Sequence, residues 1–406
     1  LLSIDRDGLV HLDHMTTERH LLAFQAEAPI RLASYAPRAN GVLGVDTENR
    51  LHLWEIDNPH PEVSFGTLFG KVWYEGYDQP AYVWQSSASS DDAEPKLSIT
   101  PLIFGTLKGT VYAMLFAVPL AIFGAVYISQ FASGRMQRLI KPTVEIMASI
   151  PSVVIGFLIA LWLAPIIEDW IVALLLTMLL VPTFFVLFML GWQGAQRLPA
   201  IRNFKTGYEF LLLVPVLLLA VAVSAYAAPV VENWLFGGDF KQWLFSDAGT
   251  RYDQRNCIII AFGLGFTVIP IIFSMTEDAI SNVPPSLSAA SLALGASRWQ
   301  TVWRVMLPSA SPGIFAAVMI GFGRAVGETM IVLMATGNTP IMDWSIFNGM
   351  RTLSANIAVE IPEAPMGGTL YRVLFLCAVI LFALTFVLNT AAELVRERLR
   401  RKYGRH

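Results

Sequence analysis

Seven long apolar segments constrain this chain more than any other feature of its sequence. They cover about residues 101–128, 143–166, 170–192, 210–230, 257–275, 313–336 and 370–392. Each is long enough to cross the hydrocarbon core of a bilayer, which takes ~17–25 residues of α-helix. Backbone polar groups in lipid must be paired within their own segment, so such segments fold as helices. The sequence therefore predicts an all-α polytopic membrane domain over residues 99–406.

The first 98 residues differ sharply from the apolar segments. They hold 15 acidic residues against 7 Lys and Arg, a net charge of −8. Two stretches, IDRDGLVHL at 4–12 and VDTENRLHL at 45–53, align at a period of 41 residues, and each is a polar turn followed by a short alternating strand. This period is typical of β-propeller blades of ~40–45 residues. A β-sandwich with two similar hairpins explains it nearly as well.

Three regions follow from this composition. Residues 1–84 are predicted to form a β-rich domain, and residues 85–98, which include the polar stretch QSSASSDDAEP, are predicted to form a linker to the membrane domain. The chain begins at Leu1 with neither an initiator methionine nor a signal segment. We therefore expect residues 1–84 to be the C-terminal part of a larger domain.

The basic residues outside the apolar segments are distributed unevenly. One set of alternating loops, together with the C-terminal tail, carries 14 Lys and Arg residues, and the other set carries 4. Cytoplasmic loops of membrane proteins carry the excess of basic residues. The prediction is a cytoplasmic C-terminus, with residues 1–84 on the opposite side of the membrane.

Few residues of the chain fit a catalytic or metal site. Both cysteines, Cys257 and Cys377, lie in apolar segments, so no disulfide framework is expected. The spacing of His11, His14 and His20 matches no metal-binding pattern. We expect no catalytic residue, no metal site and no basic patch for nucleic acid. The sequence also has no G-x4-G-K-[ST] loop, so we do not expect this chain to bind ATP.

The loop 276–312 is the most informative polar stretch. It contains PPSLSAASLALGASRWQTVWRVMLP, in which Pro284 and Pro285 can start a helix and Gly295 allows a sharp bend. A second short helix is predicted to follow and to end at Pro308. By their 3, 4, 7 spacing, four of its residues are predicted to share one apolar face beside Arg298 and Arg304: Trp299, Val302, Trp303 and Met306. Such a face suits either a docking partner or the lipid headgroups.

This loop resembles the coupling loop of ABC importer permeases, E-A-A-x3-G-x9-I-x-L-P, whose helix sits in a groove of the ATPase subunit. The spacing is kept on Ala289, Ala290 and Ser291, then Gly295, then Val305, Leu307 and Pro308. The first position departs, because Ala289 stands where the family usually has glutamate. The resemblance implies that one group of residues contacts a separate ATPase: Ala289, Ala290, Gly295, Arg298, Trp299, Trp303, Leu307 and Pro308.

Three further stretches narrow the resemblance: EIMASIPSVVIGF at 145–157, GRAVGETMIVLMATGN at 323–338 and RTLSANIAVEIPEA at 351–364. Together they resemble the membrane subunits of the bacterial phosphate-specific ABC importer, in particular its C-type subunit in the long form. The resemblance covers residues 97–406 and implies a MetI-like permease in the bacterial inner membrane, with residues 1–84 in the periplasm. It implies a transporter subunit rather than an enzyme. The implied partners are a second related permease subunit, two copies of an ATPase that binds ATP and magnesium, a periplasmic phosphate-binding protein and the lipid bilayer.

Two charged residues, Arg324 and Glu328, fall inside the sixth apolar segment, in GFGRAVGETM. An arginine at the centre of a bilayer costs ~2.5–3.5 kcal/mol on insertion scales. Four residues apart on one helix, the two would share a face and could pair. The pair either neutralises two charges inside the helix bundle or lines the translocation path, with Arg324 attracting the anion and Glu328 holding the guanidinium. The resemblance favours the path.

The function that the sequence predicts is therefore that of a permease subunit forming half of the translocation path of an ATP-driven phosphate importer. One alternative is a permease for another oxyanion, molybdate or sulfate. A second alternative, from a different class, is a membrane receptor with an extracytoplasmic sensing domain.

Overall fold

The computed structural model describes residues 1–5, 8–36, 40–57, 60–87, 94–195 and 209–403. The centre of the predicted linker, the basic loop at 196–208 and the last three residues lie outside the described residues. Contacts divide the chain into two compact units. One comprises Leu1–Leu107, Pro340–Met342 and Arg351–Val387, and the other comprises Lys108–Thr339, Asp343–Met350 and Leu388–His406.

Two three-stranded antiparallel sheets open the chain. The first has the order β1 (Leu2–Ile4), β2 (Leu9–His14), β3 (Arg19–Gln25), and the second has the order β4 (Ile30–Tyr35), β5 (Gly41–Asp46), β6 (Leu51–Glu55). The 41-residue repeat falls on two equivalent hairpins, β1–β2 and β5–β6. Each sheet has three strands where a propeller blade has four, so the propeller stays a prediction.

Asp46 organises the turn between β5 and β6. Its buried carboxylate accepts hydrogen bonds from the N–H groups of Glu48 and Arg50, both at 2.8 Å, and lies 3.0 Å from His52 Nε2. The bond to His52 lowers the pKa of Asp46, and the two backbone bonds act in the same direction against the effect of burial. A carboxyl pKa that folding lowers contributes stability that is fully present above the unfolded-state pKa. The turn therefore loses this contribution only as the pH falls through the folded-state pKa.

A short helix and a strand pair complete the first part of the chain: α1 (Phe65–Phe69), β7 (Trp84–Gln85) and β8 (Lys96–Leu97). Trp84 pairs with Leu97, so the two ends of the predicted linker lie side by side. Within this unit, Trp84 and Leu97 belong to a buried cluster that also includes Leu68, Leu102 and Leu374.

The remaining chain is helical apart from its connecting segments. In chain order its elements are α2 (Thr100–Gln130), α3 (Gly134–Ser149), α4 (Ser152–Leu158), a π turn (Ile159–Leu163), α5 (Ala164–Asp169), α6 (Ile171–Ala195), α7 (Glu209–Leu235), α8 (Phe240–Ser246), α9 (Cys257–Ser281), α10 (Pro285–Ala293), α11 (Arg298–Thr301), a second π turn (Val302–Met306), α12 (Leu307–Gly327), α13 (Met330–Ala335), α14 (Leu353–Glu360) and α15 (Thr369–Tyr403).

Seven helical stretches among the described residues are long and apolar enough to cross a bilayer, which confirms the predicted membrane domain. The second of them begins at Ser152 rather than at residue 143. Ile150 is extended, as residues before proline tend to be, and Pro151 has no N–H to continue α3. The preceding residues instead form the amphipathic helix α3, whose side chains Met136, Ile140 and Val144 pack against the core.

Helix α9 forms the centre of the second unit. Its residues Val268 and Ile272 are fully buried, and α12 packs so closely that a Cβ at Gly321 would lie 2.7 Å from the Ile272 side chain. By contrast, α6 and α7 pack mainly on each other, with only 17% of each apolar window buried.

Candidate functional site

Within the loop 276–312, helix α10 ends in a glycine bend. Leu294 closes the helix, and Gly295 follows with φ +84°, a left-handed conformation that favours glycine. The N–H of Gly295 donates to Leu292 O at 2.9 Å, and the N–H of Ala296 donates to Ser291 O at 3.2 Å. These two bonds form a Schellman motif. The chain thus bends at Gly295, where the spacing predicts it.

The helix after the bend does not end at Pro308, so that prediction is wrong. It starts with a capping box, in which Ser297 Oγ accepts from the Gln300 N–H at 3.2 Å and Gln300 Oε1 accepts from the Ser297 N–H at 2.8 Å. It then passes through the π turn into α12. Pro308 has no N–H to donate to Arg304, and the wider turn, in which the Leu307 N–H donates to Val302 O, accommodates it. One continuous helix therefore runs over Arg298–Gly327.

The predicted apolar face of this helix is divided between the interior and the surface. Val302 and Met306 are 2% and 6% exposed and belong to a buried cluster with Ile280. Trp299 and Trp303 are 54% and 56% exposed, and their rings stack with centroids 6.1 Å apart. The 3, 4, 7 spacing assumes a regular α-helix and does not hold across a π turn, so the prediction of a single face was wrong.

Four large apolar side chains of the loop are exposed, and we call them the loop patch: Leu292, Leu294, Trp299 and Trp303. The two short helices that carry them are joined by a hydrogen bond of 3.0 Å between the hydroxyls of Ser291 and Thr301. The other residues implied by the resemblance lie nearby in sequence. Ala289, Ala290 and Arg298 are exposed, whereas Leu307 and Pro308 are half-buried.

Arg324 and Glu328 do not lie on one helix, which corrects the prediction of a shared helical face. Helix α12 ends at Gly327, Glu328 is extended with φ −68° and ψ 124°, and α13 begins only at Met330. The sixth apolar segment, predicted as a single span over 313–336, is a discontinuous helix with its break beside Arg324. Arg324 is exposed in the single chain and forms no ion pair with any residue that the structure describes.

Sequence reasoning missed three Lys or Arg ion pairs with a buried member, which are Lys108–Asp343 at 3.2 Å, Lys141–Glu277 at 2.7 Å and Arg351–Glu360. Lys108 is fully buried and is the single charged residue of α2. The argument that singled out Arg324 applies equally to Lys108 and could have found it. Burial lowers the pKa of the Arg351 guanidinium, and Glu360 opposes this shift.

Two of the three histidines of the first sheet have carboxylate partners. His14 Nε2 lies 3.2 Å from Glu94, and His20 Nδ1 lies 2.8 Å from Asp13. Within the described ranges, no three His, Cys, Asp or Glu side chains are grouped so that they could hold a metal ion.

Seven helical stretches that are long and apolar enough to cross a bilayer, among the residues that the structure describes, define a multi-pass membrane protein. Residues 117–401 match the family of the binding-protein-dependent transport system inner membrane component, and the chain belongs to this family. The resemblance to importer permeases is thereby confirmed.

Several curated relatives are similar over most of the chain. The phosphate transport system permease protein PstC of Mesorhizobium japonicum is 25% identical over 340 residues, covering 83% of this chain and 85% of that protein. PstC 1 of Mycobacterium tuberculosis is 29% identical over 296 residues, covering 72% of this chain and 70% of that protein. The probable ABC transporter permease protein YqgH of Bacillus subtilis is 26% identical over 296 residues, covering 73% and 71%. Among solved structures, the inward-facing MetNI methionine ABC transporter aligns with a TM-score of 0.41 and 16% identity, covering 74% of this chain and 97% of that one.

Proposed function

We propose that this chain is the permease subunit of an ATP-driven phosphate importer and forms half of its translocation path. The observation that carries the proposal is the break between α12 and α13, beside which Arg324 is exposed within an apolar segment. Discontinuous helices form substrate sites in transporters. Arginine is always charged and can give a phosphate group two parallel hydrogen bonds. Two of the relatives described above are named as phosphate transport permeases, which supports phosphate over other anions.

Glu328 is proposed to limit how tightly the anion binds. It is half-buried just beyond the end of α12, four residues after Arg324 in sequence. Transport requires a site that is favourable enough to enter and weak enough to leave. A carboxylate near the guanidinium competes with the anion and keeps the site from becoming a phosphate trap.

The loop patch is proposed to dock on a separate ATPase subunit. Leu294 is 90% exposed beside the Gly295 bend, and the two tryptophans stack on the same loop. Large aromatic side chains dominate the energetics of protein interfaces. The remaining partners in this proposal are a second related permease, two ATPase copies that bind ATP and magnesium, and a periplasmic phosphate-binding protein.

The proposed orientation places residues 1–84 in the periplasm and the C-terminus in the cytoplasm. A cysteine at exposed Glu48 is expected to react with a membrane-impermeant maleimide added to the periplasm, and one at exposed Arg401 only after the inner membrane is opened. Glu48 is preferred to its neighbour Asn49, whose φ of +64° would strain a cysteine. Native Cys257 and Cys377 are 1% and 0% exposed, so background labelling should be low. The reverse pattern would invert the topology.

The function is tested by reconstituting the chain with its second permease and ATPase in liposomes. ATP hydrolysis is expected to rise with the phosphate-loaded binding protein and to stay at its basal rate with the unloaded one. Stimulation instead by a molybdate- or sulfate-loaded binding protein would replace phosphate with that anion. Failure of any ATPase to co-purify with the full-length protein would favour the receptor alternative.

A further inference from the structure

A groove of about 340 Å³ lies between α12 and α15. Its α12 wall consists of small and apolar residues, namely Ala316, Met319, Ile320 and Gly323. Its α15 wall is mostly polar and consists of Asn389, Ala392, Glu393 and Arg396. The transport proposal above assigns no role to these residues.

The groove crosses one boundary of the hydrocarbon region. Helix α15 is uncharged from Val373 to Ala392, a run of 20 residues that spans ~30 Å of bilayer core. Asn389 therefore lies within the hydrocarbon, ~4.5 Å from its edge, and Arg396 lies ~6 Å beyond that edge. The apolar residues of α12 line the groove at the levels of both Asn389 and Arg396.

The polar side chains of the groove have unused hydrogen-bonding capacity. Asn389 is exposed, and its side chain makes no hydrogen bond with another residue of the described chain. Its Oδ1 lies against α12, 3.2 Å from where a Cβ of Gly323 would stand. Arg396 donates through Nη2 to Glu393 at 2.6 Å, and its remaining N–H groups find no acceptor among the described residues. Lipid tails alone cannot satisfy the Asn389 amide, because hydrocarbon offers no acceptor.

We propose that this groove binds an anionic phospholipid, with the headgroup phosphate on Arg396. Asn389 is then placed to donate to the ester oxygens below the headgroup, and Met319 and Ile320 form the apolar wall beside the lipid. Basic pockets between membrane helices at the cytoplasmic boundary bind anionic headgroups. Basic residues on the same helix, Arg398, Arg400 and Arg401, raise the local concentration of anionic lipid. Glu393 weakens the site by occupying part of the guanidinium.

The test uses the purified full-length protein in detergent, with dioleoyl phosphatidylglycerol or phosphatidylcholine added and retained lipid counted by native mass spectrometry. The wild type is expected to retain phosphatidylglycerol over phosphatidylcholine. Arg396→Gln is expected to lower phosphatidylglycerol retention about fivefold, the effect of one cation near anionic lipid. The matched control Arg398→Gln removes the same charge outside the groove and should lower retention by much less than Arg396→Gln does. Glu393→Gln should raise it.

A second variant keeps every charge. Ile320→Trp fills the apolar part of the groove, because Ile320 is 48% exposed there, and it should lower retention of both lipids. Equal losses in Arg396→Gln and Arg398→Gln would show that anionic lipid is attracted diffusely to the basic C-terminal end of the protein, and would overturn the site. Displacement of the lipid by millimolar inorganic phosphate would show a free-ion site instead. Loss of the second permease in Arg396→Gln, with lipid retained, would assign the groove to a protein partner.

Discussion

Replacing Arg324 with glutamine is expected to leave the importer assembled and to abolish most phosphate uptake. Arg324 is exposed and forms no ion pair with another described residue. Replacing it therefore leaves no described acidic side chain unpaired. Hydrogen bonds to a charged group contribute ~1.5–3 kcal/mol, which corresponds to a loss of about 10- to 100-fold in uptake at limiting phosphate. The measurement is radiolabelled phosphate uptake by cells, normalised to the amount of complex recovered through the ATPase.

The matched control is Arg398→Gln, which removes an exposed arginine at the far end of α15 and should keep uptake intact. Glu328→Gln is expected to bind phosphate more tightly and to turn over more slowly. If Arg324 served only to neutralise Glu328, the double variant Arg324→Gln, Glu328→Gln would recover uptake. A well-assembled double variant with wild-type uptake would remove both residues from the mechanism.

Replacing Gly295 with valine is expected to uncouple ATP hydrolysis from transport. A residue with a Cβ pays ~1–2 kcal/mol at the φ of +84° that the bend requires, and a β-branched side chain more. The strain opens the Schellman turn and moves Leu294 away from the two tryptophans of the loop patch. In the reconstituted complex, hydrolysis should no longer follow addition of the phosphate-loaded binding protein.

Two matched variants separate the bend from the patch. Gly295→Asn should retain coupling, because asparagine tolerates the left-handed conformation. Trp303→Ala should keep the bend and weaken ATPase binding about thirtyfold, as loss of an interface hot spot of ~2 kcal/mol does, whereas Trp234→Ala, at an exposed tryptophan outside the loop, should not. Normal import by Gly295→Val would mean that the loop only lies on lipid.

The membrane-crossing helices could be predicted because lipid imposes one local requirement, an uninterrupted apolar stretch, on each of them. The positions where helices break could not be predicted from the sequence, because they depend on packing. Pro151 ends a helix, whereas Pro308 lies inside one. The difference is that burial of Val302 and Met306 holds a π turn ahead of Pro308. Pattern reasoning treats both prolines alike.

The candidate site was predicted only in part, again because sequence patterns report local spacing and not packing. Local spacing found the Gly295 bend and the tryptophans, but not which aromatic or aliphatic side chains stay exposed. The pair of Lys108 with Asp343 joins residues 235 positions apart, and no local spacing encodes such a partner. Glu328 was misplaced because one helix was assumed to continue past Gly327.

The uninterrupted helix over Arg298–Gly327 has a mechanical consequence. From Trp299 to Arg324 it rises ~37 Å at 1.5 Å per residue, so in the proposed importer a rotation of this helix links the two tryptophans of the loop patch to the Arg324 guanidinium. The π turn at Val302–Met306 follows Trp299 by about one turn. Helices bend readily at π turns, so we expect the rotation to occur there. A rotation of about 5° at this turn moves the Arg324 end of the helix by roughly 3 Å, the length of one hydrogen bond.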